Sequence, residues 1–189
     1  LRFSPDVDTR ARSQLVHDVR DRIGPRAYGV DCGDLAQVVG ELLIKRSETV
    51  ATAESCTAGQ LSSWIARIPG ASAYLIEGAV VYGNEAKTRS CGVDPCIIED
   101  HGAVSEPVAV ALARGIRERA GTTWGIGITG LAGPGGARPG KPTGTVHISI
   151  AGPHSTWHRR YQFHGDRERV TERSTAEALY RLYRAVSPR

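Results

Sequence analysis

Residues 48–59 constrain the fold most strongly, because the character of the chain changes twice within this short segment. Residues 50–53 are small apolar or β-branched, which favours a strand. Polar residues follow at once, and apolar residues then recur at helical spacing, at Leu61, Trp64, Ile65 and Ile68. The pattern predicts a strand, a sharp turn and a helix, with Ser55 at the junction.

Two roles are open to the polar residues of this turn. Ser55 or Thr57 can cap the helix, which is the commoner role of such residues. Alternatively, the Ser55 hydroxyl lies beside the free N–H groups at the helix start, which favour negative charge and can hold an oxyanion. Position alone favours capping, and the choice depends on the rest of the chain.

Helices and strands alternate along most of the remaining sequence. Strands are predicted at residues 74–82, 124–129, 145–150 and 156–163, with a hairpin turn at Gly152-Pro153 between the last two. This order favours an α/β fold with helices layered on a mixed sheet. Residues 1–31 are predicted to be an N-terminal extension with one helical apolar stripe, and residues 32–189 to be the main domain.

The composition excludes several classes of protein. The chain has 189 residues, of which 40% are hydrophobic and 23% charged, as in a globular domain, and no apolar run could span a bilayer. The net charge of +4 suits a small anionic ligand but is too weak to predict nucleic-acid binding.

The cysteines and histidines do not predict a metal site. Cys32, Cys56, Cys91 and Cys96 form no CxxC pair, and the histidines form no HExxH motif. We therefore expect no metal, and reduced thiols in a cytoplasmic protein. Cys56 is a rival nucleophile to Ser55, although a small buried thiol is the simpler interpretation.

Two further loops follow predicted strands and are expected at the same sheet edge as the Ser55 turn. In Tyr82-Gly-Asn-Glu-Ala-Lys87, a phenol ends a strand and an ammonium lies about one helical turn beyond. A lysine whose pKa is lowered by burial can serve as the base of a hydrolytic serine. The alternative is a solvated lysine, since lysines are mostly exposed.

The third loop, Thr129-Gly-Leu-Ala-Gly-Pro-Gly-Gly136, could present backbone N–H groups to a phosphate or carboxylate. It is no Walker motif, and the GxGxxG match at residues 125–130 lies within a predicted strand and is a chance match. Arg167 lies in the first turn of the last helix, where a bound anion would offset its unfavourable position. A solvated helix start is the alternative.

The ordered set of motifs closely resembles the CinA C-terminal family, also called the PncC or nicotinamide-mononucleotide (NMN) deamidase family. The motifs are Ala53-Glu-Ser-Cys-Thr57, Pro69-Gly-Ala-Ser72, Val81-Tyr-Gly-Asn-Glu-Ala-Lys87, His101-Gly-Ala-Val-Ser-Glu106, Thr129-Gly-Leu-Ala-Gly-Pro134, Lys141-Pro142, Gly144-Thr145 and Gly165-Asp-Arg167. The resemblance covers residues 34–183 and identifies 32–189 as a CinA C-terminal-like amidohydrolase domain.

The resemblance implies a three-layer α/β/α fold, often a homodimer, and hydrolysis of NMN to nicotinate mononucleotide and ammonia without cofactor or metal, in pyridine-nucleotide salvage. It implies Ser55 as the nucleophile, with Tyr82 and Lys87 as the activating pair. The substrate-binding residues it implies are Glu54, Cys56, Thr57, Ala58, Gly59, Asn84, Thr129, Gly130, Ala132, Gly133 and Arg167.

This chain departs from the family pattern at two places. The family has two glycines after Thr57, where this chain has Ala58-Gly59, and the glycine loop differs at residues 137–140. These departures bear on rate and substrate preference rather than on the fold. The alternative function is a nucleotide-binding, competence-associated protein without catalysis, and a third is a nucleic-acid-binding protein of DNA uptake, for which no basic stripe is present.

Overall fold

The computed structural model describes residues 8–24, 28 and 33–187, which divide into two units at residues 34 and 35. The first unit contains helix α1 (Thr9–Ile23), which carries the predicted apolar stripe. Asp8 caps this helix by accepting a hydrogen bond from the Ala11 N–H, 3.2 Å away. None of the residues of α1 is buried.

The second unit is built on a five-stranded sheet in the order β2-β1-β3-β4-β5. The strands are β1 (Val50–Glu54), β2 (Leu75–Val80), β3 (Trp124–Gly130), β4 (Thr145–Ala151) and β5 (Thr156–Gln162). Strand β1 is parallel to both of its neighbours, whereas β3, β4 and β5 are antiparallel to one another. The predicted mixed sheet is confirmed, and the strand boundaries differ from the prediction by one or two residues.

Six helices cover the two faces of this sheet and make three layers, as predicted. They are α2 (Leu35–Arg46), α3 (Gln60–Ala66), α4 (Asn84–Cys91), α5 (Pro95–His101), α6 (Glu106–Ala120) and α7 (Arg167–Val186), and a short 3₁₀ turn spans Ala71–Ala73. Helices α2, α3 and α7 bury one apolar core against the sheet. Helices α4, α5 and α6 bury a second core on the opposite face.

The glycines of the GxGxxG match have a packing role in β3. A side chain at Gly125 would collide with the carbonyl oxygen of Ala113, and one at Gly127 with that of Ala109. Both glycines therefore let α6 lie close against the sheet. This supports the interpretation that the motif is unrelated to dinucleotide binding.

Candidate active site

The three predicted loops meet at one edge of the sheet, because β1, β2 and β3 run parallel and end side by side. They enclose a cavity of about 200 Å³. Ten of the predicted site residues line it: Ser55, Cys56, Tyr82, Asn84, Lys87, Thr129, Gly130, Ala132, Gly133 and Arg167. Four others, Glu54, Thr57, Ala58 and Gly59, do not line it.

Ser55 directly follows β1 and lines the wall of the cavity. Its backbone N–H donates to the Ile128 carbonyl at 3.0 Å, which ties the turn to β3. The side chain is largely buried, with 8% of the residue exposed. Its hydroxyl makes no hydrogen bond to the part of the chain that the structure describes. The oxygen is therefore available to a ligand in the cavity.

The helix start after Ser55 differs from the sequence prediction. Helix α3 begins only at Gln60, its N-cap is Gly59 with φ 95°, and no side chain caps it. Neither Ser55 nor Thr57 is the cap, so the capping interpretation is wrong, and the helix begins five residues after Ser55 rather than directly beside it. Residues 56–59 form a turn instead, in which Ala58 also has a positive φ of 49°.

The physical reason is Glu54 at the end of β1. It is completely buried, and it accepts hydrogen bonds from the N–H groups at the helix start. Its carboxylate accepts hydrogen bonds from the N–H groups of Gly59 at 3.1 Å, Leu61 at 3.0 Å and Ser62 at 2.8 Å. These donors are the ones that a helix leaves unsatisfied at its N-terminus. A residue predicted to bind substrate therefore lies behind the cavity and holds the turn.

Lys87 is the most unusual charged group of the site, since only 2% of it is exposed. It lies in the first turn of α4, from which a long side chain points back toward the preceding strand. Its ammonium nitrogen donates to the carbonyl oxygens of Val81 at 2.9 Å and Tyr82 at 3.0 Å. Burial lowers the pKa of Lys87 below its ordinary value, which increases the neutral fraction that can act as a base.

The thiol of Cys56 lies in the same wall but is poorly suited to attack. Burial raises its pKa to about 12, so the thiolate that would be the nucleophile is scarce at neutral pH. A side chain at Gly130 would meet its sulfur at 3.0 Å, so it also fills space between two loops. The structure favours the interpretation of Cys56 as a small packed thiol.

Tyr82 and Arg167 face each other at the open side of the cavity. Tyr82 is 58% exposed, and its hydroxyl accepts a hydrogen bond from the Arg167 guanidinium at 3.4 Å. Arg167 is the first residue of α7, which Asp166 caps by accepting from the Arg169 N–H at 2.9 Å. An exposed cation and a helix N-terminus thus lie together here, which suits an anion.

Four cavity residues were not predicted: Ala103, Val104, Leu131 and Gly135. Ala103 is fixed by Thr129, whose hydroxyl donates to its carbonyl oxygen at 2.8 Å. These residues carry no reactive group, so no chemical signal marks them. Their positions inside two of the quoted segments, at residues 101–106 and 129–136, are the sequence signal that could have found them.

The described residues contain neither a candidate metal site nor a membrane-spanning helix. No group of three or more histidine, cysteine or carboxylate side chains there is arranged to hold a metal ion. Within the same residues, no helix combines the length and apolar character needed to cross a membrane.

Comparison with known proteins places the chain among CinA proteins. The CinA C-terminal domain profile matches residues 33–186. A putative competence-damage inducible protein of Moorella thermoacetica is 45% identical over 168 residues, which are 89% of this chain and 41% of that protein. A CinA-like protein of Synechocystis is 46% identical over 176 residues, covering 91% and 42%. The chain thus spans less than half the length of these relatives.

Solved structures have the same fold. The competence or damage-inducible protein of Enterobacter asburiae has a TM-score of 0.79 and 33% identity, covering 84% of this chain and 100% of that one. The competence/damage inducible protein CihA of Agrobacterium tumefaciens has a TM-score of 0.79 and 31% identity, covering 84% and 96%. Both similarities extend over nearly the whole of the neighbouring chain.

Proposed function

The chain belongs to the CinA C-terminal domain family, and from that premise we propose that it is a nicotinamide-nucleotide amidohydrolase. The reaction is hydrolysis of NMN to nicotinate mononucleotide and ammonia, with Ser55 as nucleophile. The observation that carries the proposal is that Ser55 shares one cavity with a buried lysine of lowered pKa. Such a pair can activate a serine without histidine.

The hydrogen bonds of Lys87 support its role as the base. A neutral amine has two N–H groups and one lone pair, and the carbonyls of Val81 and Tyr82 accept two hydrogen bonds. The Lys87 and Ser55 side chains make no direct hydrogen bond in the described structure, so the remaining lone pair takes the Ser55 proton across the cavity that both residues line. The charged form carries a third N–H, for which the described residues offer no acceptor.

The reaction proceeds in two stages. Ser55 Oγ attacks the carboxamide carbon while Lys87 takes its proton, and the tetrahedral intermediate expels ammonia after Lys87 returns that proton to the nitrogen. Water, deprotonated by Lys87, then hydrolyses the ester to release nicotinate mononucleotide. The backbone N–H of Cys56, which lines the cavity, stabilises the oxyanion in both stages. It donates to no other residue among those that the structure describes.

The phosphate of the substrate binds at the open side of the cavity. Arg167 supplies a cation there, and the start of α7 supplies the positive end of a helix dipole. The resemblance pairs Tyr82 with Lys87 in activating Ser55, but because the Tyr82 hydroxyl lies on Arg167 at this open side, we assign it to orienting the substrate instead. We further propose that the enzyme acts in the cytoplasm as a homodimer in pyridine-nucleotide salvage, and that it needs neither cofactor nor metal.

Ammonia release from NMN by the purified chain tests this function. Ser55→Ala should abolish release, whereas Ser63→Ala, on the exposed side of α3, should leave it unchanged. Release that persists in Ser55→Ala would remove Ser55 as nucleophile. If the unaltered chain binds NMN but releases no ammonia, the amidohydrolase proposal fails and the alternative of a nucleotide-binding protein replaces it.

A further inference from the structure

Glu54 does not line the cavity, but its side chain is buried and surrounded by hydrogen-bond donors. It ends β1 immediately before the proposed nucleophile, and it is 0% exposed. Buried carboxylates are costly unless their oxygens accept several hydrogen bonds. A side chain that served only to end a strand would not need to be charged.

Hydrogen-bond donors on β1 and at the start of α3 surround the Glu54 carboxylate. Besides the three backbone N–H groups of α3 and its N-cap, its Oε1 lies 2.6 Å from the Ser62 hydroxyl and 3.2 Å from the Thr52 hydroxyl. These two hydroxyls lie 2.6 Å apart, so one donates to the other and four donors at a time hold the carboxylate in one position. Its hydrogen bonds fasten the start of α3 to the end of β1 and span the turn that holds Ser55.

This arrangement decides which backbone donors face a ligand. The N–H of Gly59 is used by Glu54, and the N–H of Ala58 donates to the Ser55 carbonyl at 3.2 Å. The N–H groups of Cys56 and Thr57 donate to no other described residue, and of the two residues only Cys56 lines the cavity. If the helix extended back to Ser55, these groups would instead lie along the helix axis at its first turn.

We propose that Glu54 is a positioning residue for the reaction: by binding the donors of the α3 start, it holds residues 55–58 in a turn and leaves the Cys56 N–H for the oxyanion. This inference rests on the proposed function for its catalytic readout. Glu54 touches neither substrate nor reacting atoms, and it acts through the backbone on which they depend.

The test is Glu54→Gln, which preserves the shape of the side chain but directs an NH₂ group at backbone N–H donors. We expect kcat for NMN to fall about 100-fold, as when an oxyanion donor is lost, while KM stays within about twofold because the phosphate contacts are intact. A phosphonofluoridate provides a second readout. It phosphonylates an active serine with loss of fluoride, and its phosphoryl oxygen needs the same donor. The rate at which it labels Ser55 should fall by a similar factor.

Two control variants separate positioning from a merely structural role. Glu77→Gln makes the same change on the neighbouring strand β2, where the carboxylate pairs with Arg119 at 2.9 Å, and it should alter neither rate. Ser62→Ala removes one donor to Glu54 and should slow the labelling of Ser55 about threefold by loosening the carboxylate. If Glu54→Gln does not fold, Ser62→Ala takes its place in the test. An unchanged rate of Ser55 labelling in Ser62→Ala would then overturn the proposal.

Three results decide the matter when Glu54→Gln folds. Labelling and kcat within about twofold of the unaltered chain would overturn the inference. Full recovery of both rates at 10 °C would also overturn it, because Glu54 would then only stabilise the fold. If the unaltered chain releases no ammonia from NMN but labelling of Ser55 still depends on Glu54, the proposed function fails and the positioning role stands.

Discussion

Replacing Ala58 with glycine should stabilise the protein, although glycine usually weakens a fold. Ala58 has φ 49°, where an L side chain costs about 1–3 kcal/mol. Glycine removes that cost but adds about 0.5–1 kcal/mol through the greater entropy of the unfolded chain. The Ala58 side chain is exposed, so its loss removes no core packing. The expected net gain in the free energy of unfolding is about 1 kcal/mol.

Urea unfolding at constant pH measures this difference, and a thermal melt should show a rise of about 2–4 °C. Ala176→Gly is the matched control, because Ala176 is exposed within helix α7 and its replacement should cost about 1 kcal/mol. Ala58 does not line the cavity, so we expect this departure to affect stability rather than the rate and substrate preference expected from the sequence, and kcat and KM for NMN should be unchanged. If Ala58→Gly destabilises the chain as much as Ala176→Gly does, the argument from the positive φ is refuted.

Three other changes test the site and its surroundings. Lys87→Ala should lower kcat at least about 100-fold, and kcat of the unaltered enzyme should rise with pH as Lys87 loses its proton; an unchanged kcat would place the base elsewhere. Arg167→Ala should raise KM for NMN and leave kcat within about twofold, and an unchanged KM would remove the phosphate assignment. His147 is buried, and its Nδ1 lies within hydrogen-bonding distance of His158 Nε2, at 3.0 Å. Burial lowers the pKa of His147 from 6.5 to about 4. As the pH falls, His147 is therefore protonated at a higher pH in the unfolded chain than in the folded chain. About 3 kcal/mol of the free energy of unfolding, measured with urea, should be lost as the pH falls from 6.5 to 4. That loss should be absent in His147→Gln, and an equal loss in the variant would refute the assignment.

Much of the fold is predictable because its signals are local. The first strand and the following helix are evident from the change in period around Ser55, and Gly152-Pro153 marks the hairpin between β4 and β5. The convergence of three loops follows from parallel strands that end at one edge. That geometry brings Ser55, Lys87 and Arg167 to one cavity although 112 positions separate the first and last of them in the sequence.

The rest depends on contacts that sequence patterns do not encode. Glu54 precedes a serine and so resembles a ligand contact, but its acceptors are filled by N–H groups five to eight residues later. Those bonds require positive φ angles at Ala58 and Gly59, and alanine gives no signal for such an angle. The burial of Lys87 is likewise tertiary, since most lysines at the start of a helix are solvated.

In the proposed reaction Ser55 forms an ester with the nicotinoyl group, and this ester can be trapped. The enzyme would be mixed with excess NMN, quenched in acid within one turnover and digested with trypsin, which cuts after Arg46 and Arg67 and releases residues 47–67. Tandem mass spectrometry of this peptide should locate the acyl group on Ser55. Ammonia release with no acyl group on the peptide, or with the acyl group on Cys56, would contradict the proposal that Ser55 is the nucleophile.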